Sequence, residues 1–308
     1  METNSSTSSS KELKRFALRF LLPVSLVLAG LCLLADWLVT EFVVFKNESS
    51  GAYKVHRMFE ELHPEEIPVL GSSRAAGSYV PEHIHPQCFN YGIEKTQYGL
   101  TSILLAEELK KDKTTPIIIN FDYNFFTDWF GNIAHFIPNL DQAPIRQYVD
   151  SNYRAFYDLP ALRYYGVYDD YYKTWLGERS SKTHSSRGGF FVKETLAAAD
   201  IAKRKKTRSG WAIKPQQDAD WKALMESTKR PIIIVVAPYH DSYFERFTNL
   251  PEGQSYLAEL NALPNVSVLD MGRVNYDDDH FMNTTHLNYR GAEAFSTALG
   301  EKLREYGY

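Results

Sequence analysis

Pro231-Ile232-Ile233-Ile234-Val235-Val236 decides the fold of this 308-residue chain. Five β-branched residues in unbroken succession, opened by a proline, read as a strand buried on both faces. Pro116-Ile117-Ile118-Ile119 repeats the pattern earlier in the chain. Burial on both faces is the mark of a parallel sheet covered by helices. Working outward, Ile67 to Leu70, Cys88 to Ile93 and Val266 to Leu269 are further strand candidates. Apolar residues at helical spacing fall between or after these strands, at Tyr98 to Lys111, Val192 to Lys205, Ala219 to Ser227, Tyr256 to Leu263 and Tyr289 to Leu303. The alternation predicts a three-layer α/β/α domain around a mostly parallel, five-stranded sheet.

The segment from Asn124 to Arg187 breaks that rhythm. It is crowded with rings, among them Phe125, Phe126, Trp129, Phe130, Tyr148, Tyr164, Tyr165, Tyr168, Tyr171, Tyr172 and Trp175. A plain α/β domain needs only a crossover there, so residues 125–190 read as an insertion over the active edge of the sheet. Its rings suit a sugar-binding platform, packing of the insertion's own small core, or contact with a membrane surface. Ser180 to Arg187 is polar and reads as a loop.

The N-terminus sets the expected location. Residues 1–15 are polar and rich in serine, an expected disordered tail. Lys11, Lys14, Arg15 and Arg19 precede an apolar run that begins at Phe20, and acidic residues interrupt it only at Asp36 and Glu41. Roughly 20 such residues cross a bilayer, so residues 16–44 read as a single transmembrane anchor, with Asp36 near its outer edge. Positive charge before the span and little after it predict a cytoplasmic N-terminus and an extracytoplasmic body, residues 45–308. Leu31 stands where a lipoprotein signal needs a small residue before Cys32, and no small-x-small cleavage site follows, so the anchor is expected to stay uncleaved.

Outside the span Cys88 is the only cysteine, so packing alone must stabilise the exported part. A body of roughly 260 residues is long enough to bury a sizeable core. The formal net charge is −4, with no basic stripe interleaved with aromatics, which argues against a nucleic-acid partner. His240 and His280 lack the spacing of zinc ligands, so neither a metal nor another cofactor is expected.

Two short segments more than two hundred residues apart carry the chemistry. Val69-Leu70-Gly71-Ser72-Ser73-Arg74 is a strand running into a small-residue turn, and Asn283-Thr284-Thr285-His286-Leu287-Asn288 immediately precedes the last helix. A serine after the first strand and a histidine before the last helix can meet at one end of an α/β sheet as nucleophile and base. Phe89-Asn90-Tyr91-Gly92 ends the second strand, where a glycine can bring a backbone N–H close to an oxyanion. Arg74 reads as an anion ligand or as a residue facing water or an aspartate. Tyr239 and His240 follow the fourth strand and are expected to line the pocket.

These blocks resemble the Ser-Gly-Asn-His hydrolase superfamily, often called GDSL-type. More narrowly they resemble its membrane-anchored envelope branch, which is similar to the D-alanyl transfer thioesterases of teichoic acid systems. The resemblance implies a flavodoxin-like sheet with Ser73 as nucleophile and His286 as base. It also implies an oxyanion hole formed by the Ser73 N–H, Gly92 and an asparagine after the third strand, for which Asn124 is preferred to Asn120. The family usually has an aspartate three residues before the histidine, and this chain has Asn283. An amide can hold the imidazole but cannot balance its charge, and that exchange costs about 10⁴ in the turnover of a serine protease. The resemblance therefore leaves three outcomes open: a Ser-His dyad helped by Asn283, an acid rerouted from Asp277, Asp278 or Asp279, or reduced activity. It implies a serine esterase or O-acyltransferase acting on acyl esters of envelope polysaccharide. The alternative is a non-catalytic protein of the same fold that binds a glycan or a membrane-bound acyltransferase.

Overall fold

The computed structural model describes residues 12–127, 131–160, 162–177, 183–197, 210–273 and 276–308. The expected tail up to residue 11, the rings of Trp129 and Phe130, and residues 198–205 of the helix expected from Val192 lie outside these.

The chain begins with one long helix, α1 (Glu12–Val44), long and apolar enough to cross a membrane, with none of its most apolar stretch buried in protein. After a short turn, Ser50 caps α2 (Gly51–Glu60), its side chain accepting from the Tyr53 N–H. Then β1 (Ile67–Leu70) leads into α3 (Ser73–Ser78) and α4 (Pro81–Ile84), followed by β2 (Cys88–Asn90), α5 (Tyr98–Leu109) and β3 (Ile117–Asn120). The long crossover contains α6 (Ala143–Tyr148), α7 (Tyr168–Gly177) and an antiparallel hairpin, β4 (Thr183–Ser186) with β5 (Gly189–Val192). The second half runs α8 (Pro215–Glu226), β6 (Ile232–Val236), α9 (Asp241–Phe244), α10 (Leu250–Asn261) and β7 (Val266–Asp270). It closes with a small hairpin, β8 (Phe281–Asn283) and β9 (His286–Leu287), and α11 (Tyr289–Glu305).

The main sheet has the order β2-β1-β3-β6-β7 and every neighbouring pair is parallel. The continuous β-branched runs divide their side chains between its two faces. Ile117, Ile119, Ile232, Ile234 and Val236 pack with Leu104, Trp221, Met225 and Leu260 from α5, α8 and α10. Ile118, Ile233 and Val235 pack with Ala75, Ile84, Phe295 and Leu299 from α3, α4 and α11. The domain is thus a three-layer α/β/α sandwich. The strand order reverses between β1 and β3, and in open sheets of this kind ligands bind outside the carboxyl ends of the strands at such a switch point. The turn after β1, which carries Ser73, lies there.

Three expectations are corrected. Helices α8 and α10 begin at Pro215 and Leu250, earlier than apolar spacing suggested, because each has a proline in its first turn, where a missing N–H costs nothing. Val192 ends a strand, residues 193–197 are not helical, and Thr183 to Ser186, expected in a loop, pair with β5. Lastly, among the described elements of the insertion it is the hairpin that packs closely on α3, through β5, while His135 and Asp170 line a cavity beside that helix. Other parts pack on α2, on α5 and on the end of α1, with the Asn139 side chain donating to the Ala52 carbonyl at 2.9 Å, α6 lying on α5 and α7 against residues 40–44.

Candidate active site

Ser73 opens α3, and Ser72 caps that helix by accepting from the Arg74 N–H at 3.2 Å. Gly71 makes the turn possible: its φ of +144° and the approach of the Asn120 side chain to within 2.9 Å of a would-be Cβ leave no place for a larger residue. At the other end of the chain, β8 and β9 pair as a tight hairpin in which Asn283 faces His286, and β9 packs on α3. Asn288 caps α11 by accepting from the Gly291 N–H at 3.0 Å, which fixes where the hairpin ends.

The two segments meet. Ser73 Oγ lies 2.9 Å from His286 Nε2, across 213 residues of sequence. His286 Nδ1 lies 3.1 Å from Asn283 Oδ1 and 3.0 Å from Thr285 Oγ1. Asn283 Oδ1 also accepts from the backbone N–H groups of Thr285 and His286 and from the Thr285 hydroxyl, at 2.9, 3.1 and 2.9 Å. Every donor around that oxygen points at it, so the amide orientation is determined and the proton of the neutral ring is assigned to Nδ1. Nε2 is left to accept from the Ser73 hydroxyl. Both side chains are half-buried, open enough for a substrate to reach.

Beneath the turn lies a buried polar network that the sequence reading did not assign. Asp122, just past β3, accepts from the Ser72 hydroxyl and from the Asn120 side chain at 2.9 Å, and pairs with Arg74 Nε at 3.0 Å. Tyr79 donates to Asn120 Oδ1 at 3.0 Å. The Arg74 guanidinium also donates to the carbonyls of Ala237 and Pro238, at 2.6 and 3.1 Å, and sits 3.3 Å from the centre of the Tyr239 ring. An acidic residue two positions after an otherwise apolar strand was the available signal for Asp122. Thr285, the second contact of His286 Nδ1, was also missed.

Several expected site residues have other occupations. Arg74 is 4% exposed and its expected role as a substrate ligand gives way to the ion pair with Asp122. Tyr239 is buried, stacked on Tyr243, and accepts from the Tyr123 N–H at 3.3 Å, so it belongs to the core. His240 caps α9 and holds Asp278 through Nε2 at 2.9 Å. The Gly92 N–H donates to Asn90 Oδ1 at 2.9 Å rather than standing free for an oxyanion. Glycine is needed at that position because a Cβ would lie 2.3 Å from the Ala76 nitrogen, so β2 can approach α3 only there. Asn124 is exposed on the turn after β3, its carbonyl accepting from Thr127. The Ser73 N–H, in the first turn of α3, has no acceptor among the described residues. Of the upstream acids, Asp278 pairs with His240, and Asp279 with His280 and Arg290. Asp277, Asp279 and His280 bring ligand atoms within 4.8 Å of one another at the surface.

A cavity of about 330 Å³ lies beside α3, lined by Ala76, Gly92, Lys54, Lys95, His135 and Asp170 among others. Lys54 reaches it from α2 and donates to the Gly92 carbonyl. Burial pulls its ammonium down to about 7, against the opposing pull of Glu94.

No protein-family model matches the chain and no curated protein does. Among solved structures, one that overlaps it is a Streptococcus pneumonia protein provisionally named a platelet activating factor, at a TM-score of 0.44 and 12% identity, covering 89% of this chain and 99% of that one. So loose an overlap carries no argument about chemistry.

Proposed function

We propose that this protein is a serine-dependent esterase or O-acyltransferase of the Ser-Gly-Asn-His type, anchored by α1 with its domain outside the cytoplasmic membrane. The reading is supported above all by the 2.9 Å contact between Ser73 Oγ and His286 Nε2, with Asn283 and Thr285 holding the far side of the ring. Ser73 attacks the acyl carbonyl while His286 accepts the hydroxyl proton, and the Ser73 N–H donates to the oxyanion. The proton returns through His286 to the leaving oxygen. A second proton transfer then delivers water, giving hydrolysis, or a sugar hydroxyl, giving acyl transfer. The anchor favours acyl esters of an envelope polysaccharide, because it confines the site to the zone where such polymers are assembled. This chain's own residues supply both the nucleophile and the base of that sequence.

One observation favours a second reading. Asn283 brings no charge to the imidazolium and Gly92 brings no free N–H, which suits a protein that keeps the fold to bind a glycan or a membrane-bound acyltransferase. A fluorophosphonate probe separates the two. Stoichiometric labelling that disappears in Ser73→Ala supports the enzyme. An unlabelled wild type, with glycan binding retained in Ser73→Ala, supports the binder. Acyl-ester content of the envelope polymers, compared between wild type and Ser73→Ala cells, then identifies the substrate.

A further inference from the structure

Among the described residues, the Ser73–His286 pair uses no side chain of the aromatic insertion, yet the insertion is fastened to a particular height on the membrane helix. Arg163 donates to both oxygens of Asp36, from Nε at 2.8 Å and from a terminal nitrogen at 2.6 Å, and to Thr40 Oγ1 at 2.8 Å. Thr40 also hydrogen-bonds the Tyr164 hydroxyl. Both Asp36 and Thr40 are buried, whereas none of the helix's most apolar stretch is buried in protein.

Depth follows from counting. A span of roughly 20 residues from Phe20 ends near Val39. At about 1.5 Å per residue, Asp36 lies one turn inside that edge. The two-point ion pair explains how a carboxylate is tolerated there. It also means that the chain around Arg163 is held at that same depth, whatever the rest of the domain does.

The neighbours of Arg163 are composed accordingly. Leu159 and Leu162 are each 51% exposed, Tyr165 72%, Tyr168 41%, Tyr172 54% and Leu176 53%. On α7 the spacing of 168, 172 and 176 places three of them along one stripe, while Tyr171, beside that stripe, is buried. Trp37 and Phe42 are likewise exposed, on α1. Tyrosines mixed with leucines, one end apolar and one end able to reach water, are the composition of the zone between headgroups and acyl chains.

From this composition and depth we infer that Leu159, Leu162, Tyr165, Tyr168, Tyr172 and Leu176 form a lipid-contacting collar, seated in the headgroup–acyl boundary of the bilayer that α1 crosses. The collar and the Asp36–Arg163 pair together hold the domain at one orientation to the membrane, where a bare helical tether would let it swivel. The inference rests on α1 crossing a bilayer and not on the chemistry of Ser73.

The test uses the full-length protein in a Cys32→Ser background, Cys88 being buried. Single cysteines at Tyr172→Cys and Leu176→Cys carry a bimane fluorophore in phosphatidylcholine nanodiscs whose acyl chains bear a nitroxide near the headgroup. Val27→Cys on α1 is the positive control, and Glu301→Cys on α11 the aqueous one. Emission from 172 and 176 is expected to be largely lost, as at 27, with 301 unaffected. Adding Arg163→Ala should restore emission at 172 and leave 27 quenched. Quenching at 27 without quenching at 172 and 176 overturns the collar and shows a face built for a neighbouring protein or for water. Absence of quenching at 27 also overturns it, by removing the bilayer on which it rests.

Discussion

Two of the long-range polar pairs in this chain, Ser73 with His286 and Asp36 with Arg163, are built on opposite principles. Ser73 and His286 meet through one neutral hydrogen bond between half-buried side chains, and neither draws the other into place. The sheet, the cap of α3 and the β8–β9 hairpin position them independently. Asp36 and Arg163 meet through two charge-assisted hydrogen bonds, and no strand or shared sheet joins the elements that carry them. The first pair is held by the fold; the second helps to hold the fold's parts together. Removing the first should therefore cost chemistry and spare stability, and removing the second should do the reverse.

The largest effect expected is at Ser73. In Ser73→Ala fluorophosphonate labelling should fall by about 10³ or more while the thermal midpoint shifts little, since deletion of one triad-type group removes most covalent chemistry. Retained labelling would show that another nucleophile reacts. Next is the support beneath the turn. Arg74→Met leaves Asp122 as an unpaired buried carboxylate, and urea denaturation should report a loss of about 3–5 kcal/mol. Double replacement with Asp122→Asn should recover part of that loss, and no recovery would argue against the pair as the cause.

Asn283 sharpens the site further. Asn283→Asp places a charge beside Nδ1, and the labelling rate should rise by about ten- to a hundredfold, a fraction of what the reverse exchange costs in a serine protease. An unchanged rate would show that imidazolium charge does not limit the chemistry. At the other pair, Asp36→Asn keeps the shape and removes the charge. Stability in detergent should fall by about 1–2 kcal/mol, with faster hydrogen exchange around Tyr164 and unaltered labelling of Ser73. A change in labelling instead would couple the collar to the site.

The most gradual effect is a pH slope. Lys54 titrates near 7 in the folded protein because burial disfavours its charge, and near its ordinary value of 10.5 when unfolded. Below pH 7 both states are protonated and the folded state bears the whole penalty. Between the two values the unfolded chain holds the extra proton, so stability should climb with pH, by at most about 1.4 kcal/mol per unit. Lys54→Met should flatten that climb relative to wild type, and parallel curves would rule out the buried ammonium as its source.

What could be read in advance differs residue by residue. Ile117 to Ile119 and Ile232 to Val236 announced a sheet covered on both faces, because continuous β-branched runs have no other stable setting. Ser73 and His286 were legible because strand-to-turn and loop-to-helix junctions are local signals. Gly92 was legible as a glycine that must be there but not in its reason, since its N–H is taken by Asn90 and its missing Cβ is what lets β2 reach α3. Arg74, beside Ser73 in sequence, turns away to Asp122 in space.

The amino-acid sequence by itself determined the strand runs, the apolar N-terminal helix and the two segments bearing hydroxyl and imidazole, because periodicity, composition and turn chemistry act over a few residues. Tertiary structure alone decided that these two segments meet, that Asn283 faces the imidazole with its oxygen, and that Arg163 is fastened to Asp36. Each of those contacts depends on how distant elements pack, and packing is a property of the whole core rather than of any window of the chain.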